Sequence, residues 1–316
     1  MNILITGAAG FVGRVLAERL KNVAENSLVC HARRSVDEFT PAKNVQWFFT
    51  DVTADTNWED ALHGIDVVVH LAARAHKLKD SSADPLSEFR AINTAGCRQL
   101  ALQAAAAGVR RFVFLSSIGV NGAVTSGRPF SANDTPAPCT PYAISKFEAE
   151  TDLRAIAEAS GMEVVVIRAP LVYGANAPGN FGKLMRAVQR GIILPLGMAN
   201  KNARSFVAVE NLVDLIVRCM DHPAAANRTF LVSDDHDLST VTLINKMAAA
   251  SGVPAQLIPV PLFMLKAMGN LLRKRHMVDQ LCGDLQLDIS MTKDLLHWIP
   301  PVSVDEGLER AVRVLK

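Results

Sequence analysis

The chain has 316 residues, with 33 Lys and Arg against 31 Asp and Glu and a formal net charge of +2. Hydrophobic residues make up 49% and charged residues 20%, which is ample for one large α/β domain or two smaller ones and excludes global disorder or a fibrous chain. The near-balance of charge gives no electrostatic case for nucleic acid as a partner.

Strand patterns in chain order are Asn2–Thr6, Ser27–Ala32, 45–50, 66–70, 111–116 and 163–168. Helical patterns at 11–23, 85–108 and 142–161 separate most of them. Val67-Val68-Val69 and Phe112-Val113-Phe114-Leu115 are apolar throughout, as parallel strands covered on both faces are. The alternation predicts a doubly wound parallel sheet. Beyond about residue 169 the apolar runs shorten and prolines multiply, so residues 1–168 read as a dinucleotide-binding domain. Residues 169–316 read as a smaller substrate-binding lobe, partly interleaved with the main sheet. The five cysteines (Cys30, Cys97, Cys139, Cys219 and Cys282) never form a C-x-x-C pair, which argues for reduced thiols and no cysteine metal site. Met1-Asn2 runs straight into a strand pattern rather than a signal peptide, and no stretch reaches the ~18 apolar residues of a membrane span. The expectation is a cytoplasmic protein without an integral membrane segment.

Gly7-Ala8-Ala9-Gly10-Phe11-Val12-Gly13 sits between the first strand and the first helix. Glycines at this spacing let backbone N–H groups and a helix N-terminus approach a pyrophosphate. An acidic residue about 20 positions on would bind the adenosine ribose, but the second strand ends in Arg33-Arg34. Guanidinium groups there suit a 2′-phosphate, so NADP(H) is favoured and NAD(H) remains open.

Tyr142 and Lys146 lie four apart on one helical face, where an ammonium together with a positively charged nicotinamide ring would lower a phenol's pKa for proton exchange. Ser116-Ser117 ends an apolar strand, where a hydroxyl reaches the ligand crevice. Together with Asp51-Val52, His70-Leu71-Ala72-Ala73, Asn93 and Arg168-Ala169-Pro170-Leu171-Val172-Tyr173-Gly174, these features resemble an extended short-chain dehydrogenase/reductase of the NAD-dependent epimerase/dehydratase group. The likeness runs nearly the whole length, through Arg204-Ser205-Phe206 to Trp298 and Asp305-Glu306-Gly307-Leu308.

The resemblance implies a Rossmann-type fold and assigns residues by position. Ser117, Tyr142 and Lys146 would be catalytic. The cofactor would meet Gly7, Gly10, Phe11, Val12, Gly13, Arg33, Arg34, Asp51, Val52, Leu71, Ala72, Ala73, Asn93, Ser116, Tyr142, Lys146, Pro170 and Val172. Ser117, Asn176 and Arg204 would meet the substrate, with Arg204 on its diphosphate; Arg275 is a weaker candidate for the same role. No metal is implied. Related enzymes pair through a four-helix interface, so a homodimer is expected.

Ile118-Gly119 follows Ser117 where sugar-nucleotide 4,6-dehydratases carry Asp-Glu, and the cysteine of 3,5-epimerase-reductases is missing. Hydride transfer at one carbon remains. The favoured reading is NAD(P)H-dependent reduction of the 4-keto group of a UDP-linked 6-deoxy-N-acetylhexosamine, in bacterial O-antigen sugar biosynthesis. The alternatives are a UDP-hexose 4-epimerase with retained NAD+, and a catalytically silent NAD(P)-sensing protein. Ser233-Asp234-Asp235-His236-Asp237 reads as a solvated loop, and His70 and His76 as structural. Residues 261–276 mix apolar and basic residues and read as lobe core with a basic cap, with membrane contact as the alternative.

Overall fold

The structure, a computed structural model, describes residues 1–34, 42–74, 84–271 and 275–313, without the side chains of 275–277 and 313. The first half runs β1 (Asn2–Thr6), α1 (Phe11–Lys21), β2 (Ser27–Ala32), β3 (Val45–Phe49), α2 (Glu59–Leu62), β4 (Val67–His70), α3 (Pro85–Phe89), α4 (Cys97–Ala106), β5 (Arg111–Ser117), α5 (Pro141–Ser160) and β6 (Glu163–Ala169). Then come β7 (Leu171–Tyr173), α6 (Gly179–Gln189), β8 (Phe206–Ala208), α7 (Val209–Asp221), β9 (Arg228–Leu231), α8 (Thr240–Ser251), α9 (Leu262–Leu271), α10 (Arg275–Cys282), α11 (Ser290–Leu296) and α12 (Val304–Arg313).

Seven strands form one sheet in the order β3-β2-β1-β4-β5-β6-β9, and every pairing in it is parallel. The doubly wound expectation is borne out. Successive strand residues face opposite ways, and the core divides accordingly. Ile3, Ile5, Val67, Val69, Val113 and Val165 pack with α1 and α7 on one face. Leu4, Val68, Phe112, Phe114, Val164 and Val166 pack with α4 and α5 on the other. A third cluster joins β7 and β8 to α6, α8 and α12. β9 belongs to the second half of the chain yet closes the first half's sheet beside β6.

The helix expected over 85–108 is interrupted. Residues Arg90–Gly96 form a π-helical stretch between α3 and α4. Within it, Asn93 turns its amide inward, and Gly96 lies so close to the β3–α2 loop that a Cβ would sit 2.8 Å from Val52 Cγ1. Such wide turns recur where a helix must aim one side chain off the regular repeat.

α5 begins cleanly. The Thr140 hydroxyl accepts the Ala143 N–H at 3.2 Å, Pro141 fills the first turn, and Gly161 ends the helix at φ +78°. A buried ion pair then ties α5 to the sheet. Arg168 on β6 makes a two-pronged contact with Glu150, Nη2 to Oε2 at 2.6 Å and Nε to Oε1 at 3.0 Å. Ser116 Oγ donates to Oε1 at 2.6 Å, and Arg168 Nη1 donates to Asn121 Oδ1 at 2.9 Å. Removing one partner strands the other in a dry interior. Glu150→Ala is therefore expected to lower unfolding free energy in urea by about 3–5 kcal/mol, with much of it regained in the double variant Glu150→Leu, Arg168→Met.

Candidate active site

In a doubly wound sheet, ligands settle beyond the carboxyl ends of the strands, where the winding reverses. Here β1 is flanked by β2 on one side and β4 on the other, so the reversal falls at β1. β1 delivers Gly7 to that edge at φ +71°, where a Cβ would stand 2.9 Å from Ala72 N of the segment after β4. A Cβ on Gly13 would stand 2.1 Å from Gly7 O. Turn, helix and neighbouring segment thus meet as bare backbone. Gly10 caps α1 without a side-chain hydrogen bond, and no acidic residue occupies the first turn. That N-terminus retains donors and positive potential for an anion. The cradle fits the pyrophosphate of a dinucleotide.

His31, at the end of β2, fixes this turn. Its Nδ1 accepts the Gly7 N–H at 3.3 Å, so Nε2 carries the ring proton and donates to Thr50 O at 2.9 Å. Ala8 N–H also bonds to His31 O at 2.9 Å. Burial holds the ring's pKa down, in keeping with a neutral imidazole that accepts at one nitrogen. No pattern in the sequence marked His31 for this role.

The residues expected to be catalytic come from β5 and α5. Ser117, the last residue of β5, accepts the Gly119 N–H on its Oγ at 3.1 Å. A Cβ built on Gly119 would lie 3.4 Å from that Oγ and 3.3 Å from Ala143 Cβ, so the first turn of α5 abuts the end of β5. Lys146 is 1% exposed, and its Nζ donates to Leu115 O at 2.8 Å and sits 4.4 Å from the centre of the Phe114 ring. Desolvation lowers its pKa to about 8, against the opposing pull of Cys97 and Glu150. Tyr142 is half-buried, edge-on to Phe89 at 5.9 Å, and desolvation pushes its phenol up to about 12. The lowered phenol pKa is an expectation for the chain with a nicotinamide bound; in the chain alone burial raises it. Tyr173, the other tyrosine, donates to Asp234 Oδ2 at 2.7 Å inside the second-half core.

Other expected residues divide by exposure. Arg33, Arg34, Asp51 and Ala73 are exposed at strand ends, and Phe11, Val12, Leu71, Ala72 and Val172 are half-buried around them. Val52 and Pro170 are buried. Ser116 requires correction as a cofactor contact: its side chain faces α5 and its hydroxyl is committed to Glu150. Asn93 is likewise consumed internally. Its Oδ1 accepts Arg74 N–H at 2.8 Å, and its Nδ2 donates to Arg74 O at 3.2 Å and Ser145 Oγ at 3.1 Å. It therefore positions the segment after β4 against α5. Asn176 is exposed in the left-handed region at φ 59°, beside a cavity of about 120 Å³. Arg204 is half-buried and donates to Gly283 O at 2.9 Å. The side chain of Arg275, and His76 entirely, lie outside the described residues.

The 233–237 segment is a loop exposed at Asp235, His236 and Asp237, as expected, but Ser233 and Asp234 are buried. Asp234 accepts from Ala208 N, Asn211 Nδ2 and Tyr173 Oη. His70 is fully buried, bonded through Nδ1 to Thr6 Oγ1 at 2.7 Å and stacked on Phe114. Glu150 and Cys97 beside Lys146 also escaped the sequence reading. The i, i+4 spacing of Lys146 and Glu150 was the available signal.

A protein-family model described as "NAD dependent epimerase/dehydratase family" matches residues 3–233. The chain belongs to that family. A UDP-glucose 4-epimerase of Vibrio cholerae is 45% identical over 313 residues, covering 99% of this chain and 94% of that protein. Among solved structures, the Thermotoga maritima UDP-glucose 4-epimerase with UDP-glucose superposes with a TM-score of 0.80 at 22% identity, covering 100% of this chain and 98% of that one. The Bacillus cereus UDP-glucuronic acid 4-epimerase in complex with NAD does so with a TM-score of 0.80 at 21% identity and the same coverage. As a member of the NAD-dependent epimerase/dehydratase family, the chain is an enzyme whose bare-backbone cradle suits the dinucleotide the family is described by.

Lys146 gives a pH-dependent prediction. Its folded pKa of about 8 lies below its ordinary value of 10.5, so the unfolded chain binds more protons between the two. Stability at this group is present above pH 10.5 and is lost as pH falls through 8. The stability difference between Lys146→Met and the parent chain, measured in urea, is expected to favour Lys146→Met by up to ~3 kcal/mol more below pH 8 than at pH 10.5.

Proposed function

We propose that the chain is a nucleotide-sugar 4-epimerase acting on a UDP-hexose with a retained NAD(H). The observation that carries this reading is the 45% identity to a UDP-glucose 4-epimerase across 99% of the chain, joined to the Ser117, Tyr142 and Lys146 set. The cofactor, when bound, supplies reversible acceptance and return of hydride at the sugar carbon. The backbone N–H groups of the Gly7–Gly13 turn and the α1 N-terminus would hold its pyrophosphate, and Lys146 its nicotinamide ribose.

Tyr142 handles the proton at the sugar O4. With a phenol pKa of about 12 in the chain alone, Tyr142 is protonated at neutral pH and ready to donate to a carbonyl oxygen. That donation leaves a phenolate, which the Lys146 ammonium would stabilise and which takes the proton back when the hydroxyl is oxidised. Ser117 orients the same oxygen through its hydroxyl, itself held by Gly119 N–H. The first turn of α5, which carries Tyr142, and Lys146 behind it both pack against the end of β5 that carries Ser117.

The reductase reading keeps one observation in its favour. Arg33 and Arg34 are exposed at the end of β2, and among the described residues of that strand and its end there is no carboxylate to receive a ribose 2′-hydroxyl. That end suits NADPH and a 4-keto-6-deoxy-N-acetylhexosamine substrate.

Incubation with UDP-glucose, followed by NMR, is expected to yield UDP-galactose with no net change in cofactor absorbance. Tyr142→Phe is expected to lower the rate about 10²–10⁴-fold. Stoichiometric consumption of NADPH with a UDP-linked 4-keto-6-deoxy-N-acetylhexosamine, and no epimerisation of UDP-hexoses, would replace epimerase with reductase. Calorimetric titration of the Arg33→Ala, Arg34→Ala variant tests the cofactor separately. Under the epimerase reading NADH binding is unchanged and tighter than NADPH, whereas a selective loss of NADPH affinity assigns the arginines to a 2′-phosphate.

A further inference from the structure

α9 carries apolar side chains on both sides. Leu265 and Gly269, four apart, face inward and are buried. Met264, Met268 and Leu271, at helical spacing, are exposed, as is Phe263; Phe263 is 72% exposed and Leu271 85%. Apolar side chains on the outer face of a helix as well as the inner one suit a surface set against something other than water. Isolated exposed apolar residues need no explanation, but these are not isolated. Leu194 and Leu257 form a bridge, with Ile258 N–H donating to Leu194 O and Gly197 N–H to Ile258 O. This stitches the loop after α6 to the segment leading into α9. The stitched ridge exposes Ile192, Ile193, Met198 and Ile258.

The charge around the patch is segregated in a way the net value of +2 conceals. No Asp or Glu occurs from 164 to 209, or from 238 to 278; of the eleven Lys and Arg in these stretches, Arg168 is buried against Glu150 and Lys246 is paired with Asp305. Lys266 on α9, Arg190 at the end of α6 and Lys201 are exposed, and Arg273-Lys274-Arg275 follows α9 in the sequence. A symmetric contact with a second copy would bring the exposed cations Lys266, Arg190 and Lys201 of both copies into one interface. An anionic lipid surface supplies both an apolar phase for the side chains and a counter-charge.

We propose that the outer face of α9 and the adjoining Ile192–Ile258 ridge dock the protein on an anionic bilayer surface. The residues lie outside the cofactor cradle and the Ser117, Tyr142, Lys146 set, so the proposal does not rest on the reaction above. Among the described residues no helix is long and apolar enough to cross a membrane, so the contact is interfacial.

The test is co-sedimentation of the full chain with phosphatidylcholine vesicles and with phosphatidylcholine–phosphatidylglycerol vesicles, with light scattering for oligomeric state. Binding to the anionic vesicles is expected to exceed neutral ones by on the order of tenfold and to fall with added salt. Lys266→Glu should cost about tenfold, and Phe263→Gln with Leu271→Gln should abolish binding while leaving thermal unfolding and cofactor binding intact. Equal sedimentation with both vesicle types, or binding indifferent to these variants, overturns the proposal. So does a double variant that dissociates to a smaller species from a parent chain that ignores vesicles, since the patch would then join copies of the chain.

Discussion

The carboxylate of Glu150 is the point on which the site's geometry depends. It is buried beneath α5 and accepts from Arg168 on β6, from Ser116 on β5 and from Arg154 one turn along its own helix. A helix packed on a sheet by apolar contacts alone can slide by small amounts at little cost, whereas directional bonds to a charge cannot be shared among several registers. Lys146 is one turn before Glu150 and Tyr142 one turn before that. Holding Glu150 therefore holds the two chemical groups against the end of β5, which ends in Ser117.

Dryness works against both of those groups in the chain alone. It strips the ammonium of Lys146 of some of its proton affinity and makes the Tyr142 phenol a weaker acid. Each shift resists the charged form that proton exchange must pass through. The same dryness magnifies any attraction between the two charges once they coexist. The site is thus electrostatically tense before a ligand arrives, a condition commonly met where groups are held for chemistry rather than for stability.

The fold was legible because its signals are local and periodic. Apolar runs at Val67–Val69 and Phe112–Leu115, the glycines after β1 and the Pro-Tyr start of α5 all express backbone constraints that neighbours in sequence reveal. What escaped depended on contacts across the fold. Nothing around His31 tells that its ring will hold the Gly7 N–H, 24 residues away. Ser116 and Ser117 look equivalent as letters, but strand alternation commits the first to Glu150 and leaves the second at the edge. The 85–108 helix is continuous by pattern, yet tertiary pull on Asn93 and the close approach of Gly96 to Val52 open a wider turn within it. Asp234 sits in a run that reads as solvent-loving, and becomes a buried hub because Tyr173, Ala208 and Asn211 converge on it.

The placement of β9 has a consequence for how the chain is assembled. The sheet's last strand pairs with β6 only after 58 intervening residues have been made, and those residues include β7, α6, β8 and α7. During synthesis the emerging first half has an unpaired edge at β6 until Leu231 leaves the ribosome. Such an edge is a template for another chain's strand. The non-local pairing also slows the closing step relative to the hairpin-like contacts of a local fold. Once formed, it welds the two halves: opening the second half uncovers the edge of the first. The two halves of the chain are thus joined through one shared sheet and unfold together at that edge.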